Sequence, residues 1–146
     1  MQSLINYLEK NKGNKEPDAR HSYLLDQIIE NFHSLTKDYP NKCYREVGMV
    51  NRHIALGAID LVAISSSGEI YLVEGKVIRS KSKDIGNVKH EINTQLKRAY
   101  NFFRENFGVC PFLLGVYTPP RSNRLKHFFV KRPIEDLSFT NSIIEF

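Results

Sequence analysis

Three charged residues stand where a folded chain tolerates them least. Asp60 interrupts the apolar run Gly57-Ala58-Ile59-Asp60-Leu61-Val62-Ala63-Ile64, and Glu74 and Lys76 follow the apolar Ile70-Tyr71-Leu72-Val73. Charged side chains are rarely buried without partners, so their positions need a chemical reason. Two carboxylates held close together repel unless a cation joins them. As hard oxygen donors they suit Mg²⁺ or Mn²⁺. A lysine beside such an ion can orient or help deprotonate an attacking water and offset charge building on a phosphate. Together these residues have the parts needed for metal-assisted phosphodiester hydrolysis. A buried Asp–Lys–Glu ion cluster with no catalytic role is the plain alternative, but such clusters seldom add stability.

Whether the acids meet depends on the hairpin between them. Ser65-Ser66-Ser67-Gly68-Glu69 is a tight-turn sequence, with Gly68 free to take the positive φ a short loop needs. With Ser66-Ser67-Gly68 as the loop, Ser65 faces Glu69, and counting outward sets Asp60 opposite Glu74 with Lys76 on the same face. A loop one residue shorter or longer would separate the acids to opposite faces.

The flanking sequence supplies the elements around this hairpin. Residues 1–10 read as a short amphipathic helix and 11–17 as a break. Asp18 can cap a helix carrying Leu24, Leu25, Ile28, Ile29, Phe32 and Leu35 at helical spacing, ended by Tyr39-Pro40-Asn41. Strands are expected at 42–50, 56–64 and 70–78. A helix over about 88–106 presents Ile92, Leu96, Ala99 and Phe103 on one face and stops at Gly108. Strands at 111–118 and 125–130 follow. The order is α/β with a mixed central sheet flanked by helices.

Composition narrows the class. The chain has 146 residues, 41% hydrophobic and 25% charged, the size and make-up of one globular domain. It is read as a single domain over 1–146, with a core at about 20–118 and a basic C-terminal extension at 119–146. No apolar run approaches the roughly 20 residues that span a bilayer, and the N-terminus lacks signal-peptide features, so a cytoplasmic protein with no membrane partner is expected. Cys43 and Cys110 read as core residues. The five histidines are scattered and offer no evident zinc cage. The net charge of +5 and pI near 9.2 favour a polyanionic partner only weakly. The cations cluster, however, with Arg79, Lys81, Lys83 and Lys89 in one segment and Arg121, Arg124, Lys126, Lys131 and Arg132 in another.

Ile59-Asp60, thirteen residues, then Glu74-Gly75-Lys76 resembles the signature of the PD-(D/E)xK nuclease superfamily, with Ile59 replacing the usual proline. Gln95-Leu96-Lys97-Arg98-Ala99-Tyr100 is similar to the Q-L-x-R-Y element of RecB-like and NucS-like members, with the tyrosine one residue later than usual. Tyr44-Arg45-Glu46-Val47 is similar to those branches too. The resemblance covers about residues 20–118 and implies a restriction-endonuclease-like αβββαβ core. It also implies a metal-dependent DNA nuclease, with Mg²⁺ or Mn²⁺ as cofactor and DNA as partner. Asp60, Glu74 and the carbonyl of Gly75 would bind metal, Lys76 would position water, and Gln95 would reach the same site with Arg98 or Tyr100 near substrate. Many relatives carry a metal-binding Glu on the first helix, but none stands at the expected place near Ser22. Asp26, Glu30 or Glu46 could substitute, with Glu46 preferred because its strand neighbours are apolar.

Arg79, Lys81 and Lys83 leave the strand bearing Lys76 and could flank the phosphate. Nothing in the sequence encodes base readout, which favours selection by DNA structure: junctions, flaps, mismatches or ends. Compact Holliday-junction resolvases of archaeal type also fit by size and act as homodimers, so a homodimer is open. A catalytically inactive DNA-binding or assembly module and a metal-dependent RNase are the alternatives.

Overall fold

The computed structural model describes residues 1–15, 18–78, 85–118, 127–131 and 140–143, with backbone alone for Ile85 and the last two segments. Three helices precede the sheet: α1 (Gln2–Asn11), α2 (Ala19–Glu30) and α3 (Phe32–Thr36). The strands β1 (Pro40–Asn51), β2 (Ile54–Ser65) and β3 (Ile70–Val77) lead into the long helix α4 (Ile85–Phe107). The chain returns as β4 (Phe112–Thr118), β5 (His127–Lys131) and β6 (Thr140–Ile143).

Six strands among the described residues form one sheet in sequence order. Among the described residues only β3 and β4 run parallel, joined by the α4 crossover; the other pairs are antiparallel. The succession α2–β1–β2–β3–α4–β4 is the αβββαβ core of a restriction-endonuclease-like domain, with a mixed sheet flanked by helices. Two apolar clusters cover its faces. On one, Leu4 and Leu8 of α1 and Ile92, Leu96 and Phe103 of α4 pack on Val62, Leu72 and Leu113. On the other, Leu24, Leu25 and Ile28 of α2 and Phe32 and Leu35 of α3 cover Leu61, Val73 and Leu114.

Local chemistry sets the element ends. The Asp18 carboxylate accepts the His21 amide at 2.8 Å and caps α2. The stripe expected to form one helix breaks at Asn31, which leaves helical geometry at φ −105° and ψ 17° while its backbone and side-chain amides both donate to the Gln27 carbonyl. Gly108, at φ 65°, stops α4 with its amide on the Arg104 carbonyl. Two expectations need correction. Cys110 is exposed and precedes β4, whereas Cys43 is half-buried against the α2 cluster. The strand expected at 125–130 forms as β5, and the sheet gains β6, which the sequence does not predict.

Candidate active site

The β2–β3 hairpin has the register its loop predicts. Ser65 and Glu69 face each other, with the Ser65 amide on the Glu69 carbonyl at 2.9 Å, and Gly68 closes the loop at φ 86°. Ladder pairs run from Ile64↔Ile70 to Leu61↔Val73, and one further step sets Asp60 opposite Glu74. There the two strands part. Beyond that point β2 pairs with β1 as far as Ile54, and β3 pairs with β4 as far as Val77. The ladder therefore forks, and a cleft of about 550 Å³ opens at the fork.

A fork in a sheet leaves backbone donors unpaired, and the acids take them. The Asp60 amide donates to Glu74 Oε1 at 3.2 Å, and the Gly75 amide donates to Asp60 Oδ2 at 2.8 Å. Each carboxylate is thus fixed by the opposite strand. Gly75 is glycine for a packing reason: a Cβ there would lie 2.9 Å from Cδ2 of the buried Leu24 on α2.

A third acid arrives from β1. The flanking pairs Arg45↔Leu61 and Val47↔Ile59 place Glu46 across from Asp60. Glu46 adopts φ 48°, a left-handed conformation that costs a non-glycine residue about 1 kcal/mol or more. The turn after α1 holds it, because the amides of Gly13 and Asn14 donate to the carbonyls of Arg45 and Glu46 at 2.9 and 2.8 Å. At this point the in–out alternation of both strands slips. Tyr44 and Val47 share one apolar cluster although three positions apart, as do Val62 and Ile59. The slip lets Glu46 and Asp60 turn together toward α2.

His21, in the first turn of α2, meets them there. Its Nε2 lies 3.3 Å from both Glu46 Oε1 and Asp60 Oδ1, and ligand atoms of the three residues all fall within 4.8 Å of one another. The hydrogen bond to Asp60, followed by that to Glu46, raises the His21 pKa to about 10. Burial, then the neighbouring Asp60 charge, raises Glu74 well above the ordinary carboxylate range. Glu46, Asp60 and Glu74 are only 4%, 8% and 6% exposed, so the fork concentrates three acids where water screens them poorly. This donor set fits a divalent cation: carboxylate oxygens and one imidazole nitrogen converge, with a third buried carboxylate, Glu74, beside them.

The remaining expected residues divide. Lys76 lines the same cleft, but its Nζ leans toward Glu91 Oε2 of α4 at 3.8 Å. Gln95 and Arg98 of α4 line the cleft as well, and Arg98 Nη1 comes within 3.8 Å of where a Cβ on Gly57 of β2 would sit. Tyr100 is not brought there. It is buried in the α4 core, its hydroxyl 4.0 Å from Cys110 Sγ. Asp26 is exposed and pairs with Arg45, and Glu30 is exposed, so neither joins the acids. Arg79, Lys81 and Lys83 lie outside the described residues. Sequence reasoning missed His21, although it adjoins Ser22, where a helix-borne ligand was sought. It also missed Lys15 and Asn14, which line the cleft from the turn after α1.

No family model matches the chain, and no curated protein matches it. Among solved structures, a repair endonuclease from Pyrococcus abyssi is similar at 23% identity and a TM-score of 0.43. The likeness covers 70% of this chain and 38% of that one. This chain thus spans well under half the length of that endonuclease, and its function is read from the geometry of its own site.

Proposed function

We propose that this chain is a Mg²⁺- or Mn²⁺-dependent deoxyribonuclease of the PD-(D/E)xK type, selecting DNA by structure rather than by sequence. The observation that carries the reading is the forked β2–β3 ladder, which supports Asp60 opposite Glu74 beside Lys76 in one cleft. Asp60, Glu74, Glu46 and the Gly75 carbonyl are the metal ligands in this reading, and His21 joins them in place of the helix-borne acid of many relatives.

A divalent ion so held supplies Lewis acidity at a phosphate oxygen and acidifies a nearby water. The chain's own groups do the rest. Lys76 orients the water that adds to phosphorus and offsets negative charge as the P–O bond to the leaving oxygen breaks. Gln95 and Arg98 hold the phosphate against the α4 wall, and Lys15 meets it from the opposite rim. With Arg79, Lys81 and Lys83 close in sequence to Lys76, the backbone of any duplex could be followed without base contacts.

The test is a cleavage assay on linear, branched and single-stranded DNA and on RNA, with Mg²⁺ or Mn²⁺ and with Asp60→Asn as control. Metal-dependent DNA cleavage lost in Asp60→Asn supports the reading; preference for RNA would make the protein an RNase. A second reading has one observation on its side. His21 bridges Glu46 and Asp60, and Lys76 approaches Glu91, so the chain partly neutralises its own acids as an inactive DNA-binding module would. Calorimetry separates the two, because an inactive module gives no Mn²⁺-binding heat that Asp60→Asn removes.

A further inference from the structure

The hairpin joining β1 to β2 breaks the rule for its own turn. Asn51↔Ile54 is the last ladder pair, so the loop is the two residues Arg52-His53. Both have positive φ, 49° and 68°, as a type I′ turn requires. Asn-Gly satisfies that turn with least strain, and a β-carbon-bearing arginine is a costly choice for it. Residues 51–55 are all exposed, and Val50 and Ile54 leave large apolar side chains in water at 43% and 64% exposure. No acidic residue occurs between Val47 and Ile59. The geometry of the turn does not account for a guanidinium and an imidazole on this exposed tip flanked by apolar side chains.

We infer that this tip is a groove-contacting arm for duplex DNA, acting on the substrate whose phosphate lies in the cleft. The inference rests on the nuclease reading for its substrate class. The arm is continuous with the site, since β2 carries both Ile54 and Asp60. At about 3.3 Å per residue the two lie at most about 20 Å apart. An extra residue in β2 between Ala55 and Ala58, with Gly57 at φ 99°, bends the strand at the root of the arm. A two-stranded ribbon fits the major groove, and a reach of at most about 20 Å corresponds to at most roughly 6 base pairs at about 3.4 Å each. Arg52 supplies the charge to phosphate or a base edge, His53 a hydrogen-bonding ring, and Ile54 an apolar contact.

The turn's own chemistry provides the test. Arg52→Asn with His53→Gly installs the favoured I′ pair, so the variant should melt no lower than the parent. Binding is measured in EDTA, where nothing is cut, on duplexes with arms of varying length. The expected result is at least a fivefold loss of affinity for long-armed duplexes and a salt slope smaller by about one. The parent should also lose affinity when the arm falls below roughly 6 base pairs, and the variant should not. Equal affinity, slope and length dependence in parent and variant would overturn the inference. So would an effect of the variant confined to self-association in ultracentrifugation. A parent that binds duplexes through the tip yet never cleaves them would defeat the nuclease reading and leave this one standing.

Discussion

In the proposed site His21 would have two jobs that oppose each other, and pH separates them. Without metal, its proton ties Glu46 to Asp60, and the folded pKa of about 10 exceeds the ordinary 6.5. A raised pKa means the folded state holds the proton more tightly, so its stabilisation is complete below pH 6.5 and fades as pH rises through 10. Metal must displace that proton. Mn²⁺ affinity should therefore climb with pH across this window, and His21→Ala should flatten both the affinity and the metal-free stability profiles. Glu74 gives the complementary case. Burial, then the neighbouring Asp60 charge, raises its pKa well above the ordinary carboxylate range, so folding without metal works against its ionisation. Glu74→Gln keeps an oxygen for the Asp60 amide and removes the group that would ionise. It should raise metal-free stability by about 0.5–2 kcal/mol while abolishing the melting increase Mn²⁺ brings. A Glu74→Gln protein less stable than its parent would show that the charge is satisfied without metal. Asp60 and Glu74 were legible because one loop fixes one register. His21 was not, because it reaches the acids from a helix through space, and nothing in residue spacing records that approach.

The elements matter here for what they hold in place. Gly75 lets α2 sit close on β3, so Gly75→Ala should push Leu24 and cost about 1–3 kcal/mol, as overpacked cores do. Because His21 stands one turn before Leu24 on α2, the same substitution should weaken Mn²⁺ binding as well; calorimetry beside a melting curve would register both. Asp18→Ala, which uncaps the His21 amide, should cost about 1 kcal/mol and loosen the same ligand. Most of these elements could be read from apolar periodicity, including the α4 stop at Gly108. The break at Asn31 could not, since the stripe runs on through Phe32 and Leu35 while the Asn31 backbone leaves the helical region. Nor could β6, whose Thr140-Asn141-Ser142 carries no apolar alternation and becomes a strand by pairing with β5. The phase slip at Glu46 and Asp60 is likewise invisible in sequence, because the turn at Gly13-Asn14 that bonds the Arg45 and Glu46 carbonyls lies some thirty residues away.

Across the protein, charge and cleft point in the same direction. The chain carries a net charge of +5 and a buried acidic fork, and the proposed function uses both: the charge to attract a polyanion, the fork to hold the cation that would act on it. Affinity for duplex DNA should fall steeply as salt rises, and charge reversal at Arg79, Lys81 and Lys83 should weaken binding and reduce that slope. An unchanged slope would assign those three to a solvated segment. Among the described residues no helix is long and apolar enough to cross a membrane. The central claim is that Lys76 serves chemistry at a metal held by the fork rather than an ion pair with Glu91. Single-turnover cleavage of a branched duplex with Mn²⁺ by the parent and by Lys76→Ala, each shown by calorimetry to bind Mn²⁺, tests it most directly. Equal Mn²⁺ binding and a rate at least about a hundredfold lower in the variant are expected. Equal rates, or no metal-dependent cleavage by the parent on any nucleic acid, would contradict it.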